Sequence, residues 1–422
     1  MKLRTLLGAS VALALSASSA FADVTVKWLH LNTDPGIAAA WEEIVKNYEA
    51  AHPGTKIEMQ FLENEAFKAK LPTLLQSNDP PHLFYTWGGG VLAAQSGTGA
   101  IRDVTEAMDA DGGKLKAVYS PALVDGLSID GKVWAVPYQT GLVSFYYNKE
   151  LFKKAGVEAD QIKTWDDFLA AVKKLKDAGI TPIAGGGGDK WPIHFYWGYL
   201  AMREGGKAAF DAAKAGEGDG FKSEAFIKAG QDLAALGKLE PFQQGYLGSK
   251  WPEPVGLFAD GKVAMLLGFD STPVQQHNVA ADGKGLDEAN IGSFPFPATS
   301  GGAGKLTDTM GGINGWVLTK NAPPEALDFA AFLTNKENQT MMASKNLIIP
   351  AAVGAGSAIG QPLVKAAAEQ LAGSTWHQNF LDQDLGPAVG RVVNDVSVEI
   401  VSGQMSPEDA TQQIQDAWDL DH

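Results

Sequence analysis

From Val24 onward the apolar positions change period in a regular alternation. Val24, Val26 and Trp28 alternate with polar neighbours, the two-residue period of a strand. After the loop 30–36, Ile37, Trp41, Ile44, Val45 and Tyr48 recur at helical spacing, and Pro53-Gly54 ends that helix. Ile57, Met59 and Phe61 alternate again as a second strand. Phe67, Leu71, Leu74 and Leu75 stripe a second helix, and the apolar run 83–85 reads as a third strand. Strands alternating with helices predict an α/β protein, with a parallel sheet covered by helices on both faces. Trp28 and Trp41 lie on the apolar stripes and are read as core.

The same alternation returns after residue 140. "VSFYYNKELFKKAG" is a strand running into a short helix. "TWDDFLAAVKKLKDAG" opens on Thr164 as N-cap with Asp167 three residues on, a relative of the capping box, and Gly179 closes it. Residues 180–184 read as a strand that ends in four glycines. Late in the chain Ser406 caps a helix with Asp409 three residues on. No repeat of fixed period and no Pro/Ser/Gly-rich tether separates domains, although roughly 400 residues call for two or three domains at about 100–200 each.

The first 22 residues stand apart from this pattern. Two cations (Lys2, Arg4), an apolar stretch 6–15 and the Ala20-x-Ala22 ending make a secretory signal peptide, with cleavage expected after Ala22. The stretch is too short for a membrane span, and no later segment approaches the required ~18 apolar residues. The chain contains no Cys, hence no disulfide, thiolate metal site or lipidated N-terminal Cys. The mature protein is expected free in a periplasm, held together by its cores. Its formal net charge of −15 becomes more negative by two once Lys2 and Arg4 are removed. Nucleic acid and anionic membrane are poor partners for such a surface.

Candidate chemistry is sparse. The glycines 185–188 precede Asp189 and Lys190, but Trp191 stands where a phosphate loop needs Ser or Thr, and the spacing is wrong. The seven histidines show no metal-ligand spacing, and there is no G-x-S-x-G elbow. No carboxylate pair is singled out for acid–base work, so no catalytic residue, metal or cofactor is assigned. Aromatic residues at the ends of apolar strands are what stand out. Trp87 follows the third strand and precedes Gly88, Gly89 and Gly90; Trp191 follows the glycine loop; Trp251 lies in "SKWPEP" and Trp376 in "STWHQN". For the last three, both accessible and buried positions remain open. Ligands of open α/β sheets bind beyond the carboxyl ends of the strands, and aromatic plates with a few placed polar groups suit a sugar. Asn32, Asp34, Glu63, Asn64, Gln139 and Asp270 are the polar groups at hand.

Several stretches, in order, resemble the family 1 extracellular solute-binding proteins of ABC importers, the maltose-binding-protein group. They include "AAHPGTKIEMQF", "LLQSNDPPHLFYTW", "VWAVPYQTGLVSFYYNKELFKKAGV", "FADGKVAMLLGFDST", "GGINGWVLTKNAPPEALDFAAFLTNKE" and "SGQMSPEDATQQIQDAW". The resemblance implies the periplasmic binding protein-like II fold: two α/β lobes with a ligand cleft between them, joined by crossings near 135–141, 292–297 and 346–351. Lobe one is then 23–136 with 296–346, and lobe two 137–295 with 347–422. The missing tether is explained, because the hinge is made of strands.

By family position the ligand-binding residues are Asp34, Asn64 and Trp87 from lobe one and Gln139 at the crossing. Trp191, His194, Trp251 and Asp270 come from lobe two, Gly312 or Asn314 from "GGING", and Asp382 with Asp384 from a C-terminal loop. This chain has Gly268-Phe269-Asp270 where many relatives carry Gly-Asp-Trp. Trp87 is expected to stack on the ligand, with a plug at a helix–sheet junction as the other reading. The expected function is capture of a mono- or small oligosaccharide, delivered by a monomer to ABC permease subunits of the inner membrane. The alternatives are a binder of a non-sugar solute such as a polyamine or metal complex, and a periplasmic carbohydrate-active enzyme.

Overall fold

A computed structural model describes residues 24–422; the signal-peptide reading lies outside the described residues. The first element is the strand Val24–His30, and Asp34 then starts the helix Pro35–Ala51. The Asp34 carboxylate accepts the main-chain N–H groups of Gly36 (2.7 Å) and Ile37 (3.1 Å), and Pro35 supplies a preset φ at the first turn. Ala40, Trp41, Ile44 and Tyr48 form the buried stripe. The strand Thr55–Phe61, the helix Asn64–Leu75 and the strand Leu83–Thr86 follow where the apolar period places them.

Val24–His30 pairs in parallel with both Thr55–Phe61 and Leu83–Thr86. The sheet is nevertheless mixed, which corrects the parallel reading. Ile313–Leu318 inserts antiparallel between Leu83–Thr86 and Val136–Thr140, and Ile349–Pro350 closes the far edge against Val136–Thr140. Trp28, Trp41 and Trp316 meet behind this six-stranded sheet with ring centroids 4.8–5.7 Å apart, each contact adding about 0.5–1.5 kcal/mol beyond area burial. Both Trp28 and Trp41 are core, and the Trp41 indole N–H donates to the Tyr138 hydroxyl at 3.1 Å.

The second lobe is built on a three-stranded antiparallel sheet, with Val143–Asn148 between Met265–Phe269 and Ile291–Phe294. Phe145, Phe294, Phe296, Trp165 and Phe168 stack into its core. The helix Trp165–Asp177 carries the full capping box between Thr164 and Asp167, and Ser406 caps Pro407–Asp421 as expected. The run 180–184 is not a strand: Ile183 alone makes isolated bridges, to Phe242 and Met265. Arg203, buried in the helix Trp191–Lys214, donates to the carbonyls of Phe296, Pro297, Lys305 and Asp308 and so fixes the segment that leaves this lobe.

The chain passes between the sheets at 141–142, where Val136–Thr140 gives way to Val143–Asn148. It returns between Ile291–Phe294 and Ile313–Leu318, through Thr309–Gly311, which pairs with His377–Asn379. At this junction the lobes touch closely. Gly89 has a φ of +57°, and a side chain there would lie 2.8 Å from the Asp384 Cα; one on Gly90 would lie 2.5 Å from the Gly386 nitrogen. Among the described residues no helix is long and apolar enough to cross a membrane.

Candidate functional site

A cleft of about 250 Å³ opens between the lobes, beyond the carboxyl ends of the strands Val24–His30, Thr55–Phe61 and Leu83–Thr86. The first lobe lines it with Asn32, Asp34, Glu63, Asn64, Lys68, Tyr85 and Trp87, and the crossing strand adds Tyr138 and Gln139. From across come Asp189, Trp191, Phe195, Trp251, Phe269, Asp270, Gln275, Phe380 and Asp382, with Asn314 at the base.

Nine of the expected site residues are thus brought together: Asp34, Asn64, Trp87, Gln139, Trp191, Trp251, Asp270, Asn314 and Asp382. His194 and Gly312 are not on the wall. His194 is fully buried behind it, and Gly312 sits under Asn314 and Phe380, where a side chain would meet both below 3 Å. Asp384 turns away and pairs with Lys214. Trp376, half-buried, packs edge-on against Phe210 and lines a separate cavity of about 220 Å³. That cavity also takes Ile313, whose strand neighbour Asn314 points into the cleft, so the two cavities lie on opposite faces of the crossing strand.

Trp87 sits at the helix–sheet junction and on the cleft wall alike. It lies against Phe67 and Tyr85 at 5.6 and 5.5 Å, edge to face, which anchors the indole at the helix–sheet junction. The ring also forms part of the cleft wall, and its carbonyl accepts from the Asn379 side chain at 2.7 Å. Opposite it, Trp191, Trp251 and Phe269 make one aromatic group with centroids 5.3–5.7 Å apart. Carbon-bound faces are therefore offered from both lobes.

The carboxylates show a shared construction in which one oxygen is spent on the chain itself. Asp34 caps its helix through Oδ1, and Glu63 caps Asn64–Leu75 through Oε2, accepting from Glu65 and Ala66. Asp189 Oδ2 accepts from the Trp251 N–H at 2.7 Å, and Asp270 Oδ1 from the Leu142 N–H at 2.9 Å. Asp382 Oδ2 accepts from Gln383 and Asn394. Each carboxylate is held in orientation by these bonds. The second oxygen of Asp34 accepts from the Asn278 side chain at 3.3 Å and that of Asp382 faces His194, whereas those of Glu63, Asp189 and Asp270 are left to accept from elsewhere. The side-chain oxygens of Gln139, Gln275 and Asn314 and the indole N–H of Trp191 are buried in the cleft wall without a protein partner. Such groups cost about 1–3 kcal/mol each when left unpaired, so the wall suits a ligand rich in hydrogen-bonding groups.

Burial pushes the Asp270 carboxyl up to about 6, against the pull of the Leu142 N–H. Burial also raises Asp189, helped by the negative charge of Glu63 from the other lobe. Burial would raise Asp382 too, but Lys68 and the amide donors of Asn394 and Gln383 hold it below the usual carboxylate range. Burial keeps His194 neutral; its Nδ1–H donates to the Trp191 carbonyl at 2.7 Å, so Nε2 faces Asp382 at 3.7 Å without a proton.

Sequence reasoning missed Lys68 and Asp189. Lys68 lies one turn beyond Asn64, on the same helix face, and that i, i+4 spacing was the available signal. Asp189 follows the glycine loop directly, and only the long-range bond to Trp251 reveals its place.

Residues 33–340 match the family model described as bacterial extracellular solute-binding protein. The chain is 28% identical to an uncharacterized ABC transporter extracellular-binding protein of Pyrococcus horikoshii over 172 residues, which is 40% of this chain and 39% of that one. It is 26% identical to the sn-glycerol-3-phosphate-binding periplasmic protein of Brucella melitensis, covering 80% of this chain and 77% of the relative. Among solved structures it superimposes on one concerned with xylan utilization by the thermophilic bacterium Caldanaerobius polysaccharolyticus, with TM-score 0.84, 26% identity, and 93% and 99% of the two chains covered. A chitin oligosaccharide binding protein gives TM-score 0.83 at 25% identity, with 94% and 98% covered.

Proposed function

We propose, from the premise that this chain belongs to the bacterial extracellular solute-binding proteins, that its cleft captures an uncharged mono- or small oligosaccharide. The sugar is then delivered to the permease of an ABC importer from the periplasm, after removal of the leader behind Ala22. The observation that carries this reading is the pairing of aromatic faces from both lobes with two carboxylates, Asp189 and Asp270, that each spend one oxygen on the chain and keep the other without a donor among the described residues. Pyranose C–H faces match the rings, and each hydroxyl can donate to a free oxygen while accepting from a neighbour. The similarity to proteins concerned with xylan and chitin oligosaccharides supports the same class.

The glycerol-phosphate relatives raise a second reading, and the cleft opposes it. A phosphate favours helix N-termini and arginine forks. Of the helix N-termini at this cleft, those of Pro35–Ala51 and Asn64–Leu75 are already capped by the chain's own carboxylates, Asp34 and Glu63. Those of Trp191–Lys214 and Thr272–Val279 lie beside the carboxylates Asp189 and Asp270, and no arginine lines the wall among the described residues. A thermal-shift panel separates the two. At free ligand of about 100 Kd, a sugar that binds should add roughly 2.7 kcal/mol of stability and raise Tm, and sn-glycerol 3-phosphate should leave Tm unchanged. A shift with the phosphate and none with any sugar overturns the assignment.

No chemistry is needed for this role. We take the lobes as 23–136 with 296–346 and 137–295 with 347–422, moving about their crossing strands, with the monomer as the working unit. Ligand contacts from both sides favour the closed form and shift an existing equilibrium toward it. Small-angle scattering should give a smaller radius of gyration with saturating sugar than without. Superimposable curves with a sugar that demonstrably binds would remove the clamp.

A further inference from the structure

Lys68 is the single cation among the described residues that line the cleft, against carboxylates at Asp34, Glu63, Asp189, Asp270 and Asp382. Its position is specific. The ammonium lies 5.6 Å from the centroid of the Trp87 ring, 3.1 Å from Glu65 Oε1 and 3.8 Å from Asp382 Oδ2. Lys68 and Glu65 belong to the first lobe's helix Asn64–Leu75, whereas Asp382 is supplied by the C-terminal segment. The negative charge of Asp189 lies within its reach as well. The acids elsewhere in the cleft are spent differently: Asp34 and Glu63 offset the positive ends of their own helices. The place where the wall would best stabilise a foreign cation is therefore where Lys68 already puts one, over an aromatic face and among three carboxylates.

We propose that Lys68 determines the charge selectivity of this cleft: its ammonium occupies the cation position between the lobes, so the site accepts uncharged polyols and turns away aminated ones. The proposal rests on the sugar reading for its neutral ligand. A ligand ammonium brought beside Trp87 and Asp382 meets a like charge at close range in a partly buried setting. A neutral hydroxyl meets no such repulsion and accepts a hydrogen bond from the same ammonium. Lys68→Met keeps the side-chain stem against Trp87 and removes only the charge.

The test is a titration of wild type and Lys68→Met with matched neutral and aminated sugars (glucose and glucosamine, cellobiose and its diamino counterpart) and with spermidine. The wild type is expected to favour each neutral sugar over its aminated partner by at least tenfold. In Lys68→Met that ratio should fall by at least tenfold, with aminated sugars or spermidine gaining affinity. Lys207→Met, which removes an exposed cation paired with Asp211 outside the cleft, should leave the ratio as in wild type. An unchanged ratio in Lys68→Met, or equal affinity for both partners in the wild type, overturns the proposal. Should no neutral sugar bind the wild type, the sugar reading fails by itself. Lys68 is then judged on spermidine alone: binding gained in Lys68→Met supports its role, and no gain rejects it.

Discussion

Trp87→Ala is expected to weaken sugar binding by roughly 30- to 1,000-fold, a loss of about 2–4 kcal/mol, while leaving the protein folded. The magnitude follows from what the indole does twice over. It offers a ring to the cleft, and it is locked edge-on against Phe67 and Tyr85, so a ligand that stacks on it gains a rigid surface at little entropic cost. Alanine removes the surface and frees Lys68, which rests over the ring, to wander. Truncating a fully enclosed Trp costs about 3–5 kcal/mol of stability, but here the hole opens into the cleft, so the cost to folding should stay below that range. Calorimetric titration gives the affinity and a melting curve gives the stability. A Kd within threefold of wild type, with stability sharply reduced, would leave Trp87 as a structural plug that no ligand touches.

The parts of this molecule that could be read in advance are those set by neighbours in sequence. The helix Pro35–Ala51 shows its cap at Asp34, its Pro at the first turn and its buried face at Trp41, Ile44 and Tyr48, all within one local stretch. The capping box at Thr164 and Asp167 is equally local. What was misread depends on pairing across the chain. Nothing in "GGINGWVL" announces that Ile313–Leu318 inserts antiparallel between two strands that precede it by more than 170 residues, and that insertion makes the sheet mixed. The run 180–184 has a strand's composition, yet only Ile183 finds bridging partners, so it remains irregular.

The site was legible to the same extent. Residues directly after strands, such as Asp34, Asn64 and Trp87, follow from the rule that ligands lie beyond carboxyl ends. Trp376 and Trp251 look alike in sequence, both flanked by polar residues. They part company because residues 377–379 pair with Thr309–Gly311, which turns Trp376 to the rear face of the crossing. Lys68 escaped because a lysine on an amphipathic helix usually means a solvated face; its meaning here comes from Asp382, more than 300 residues away.

Asp270→Asn should move stability and function in opposite directions. Asp270 is buried beside Gly141 at the first crossing, with Oδ1 fixed by the Leu142 N–H. Burial lifts its carboxyl from 3.8 to about 6. The folded state therefore binds this proton more tightly than the unfolded chain does, and the sign follows from linkage. Between about pH 4 and pH 6 the native protein holds the extra proton, so this residue's contribution to stability declines as pH rises through that window. Above it the penalty is complete, about 2–3 kcal/mol. Asparagine keeps an oxygen for the Leu142 N–H and carries no charge to desolvate. The variant should be more stable than wild type by about 1–3 kcal/mol at pH 7, with the difference vanishing near pH 4. Chemical denaturation at both pH values measures this. Its sugar affinity should nonetheless fall roughly tenfold to a hundredfold, because charge-assisted bonds of about 1.5–3 kcal/mol lose their charge. A buried carboxylate that costs the fold stability is what a binding site, rather than a core, is expected to hold. An asparagine variant that is less stable at pH 7 would mean that the Leu142 bond, not burial, governs this group. One that binds sugar as tightly as wild type would show that the second oxygen of Asp270 faces no ligand.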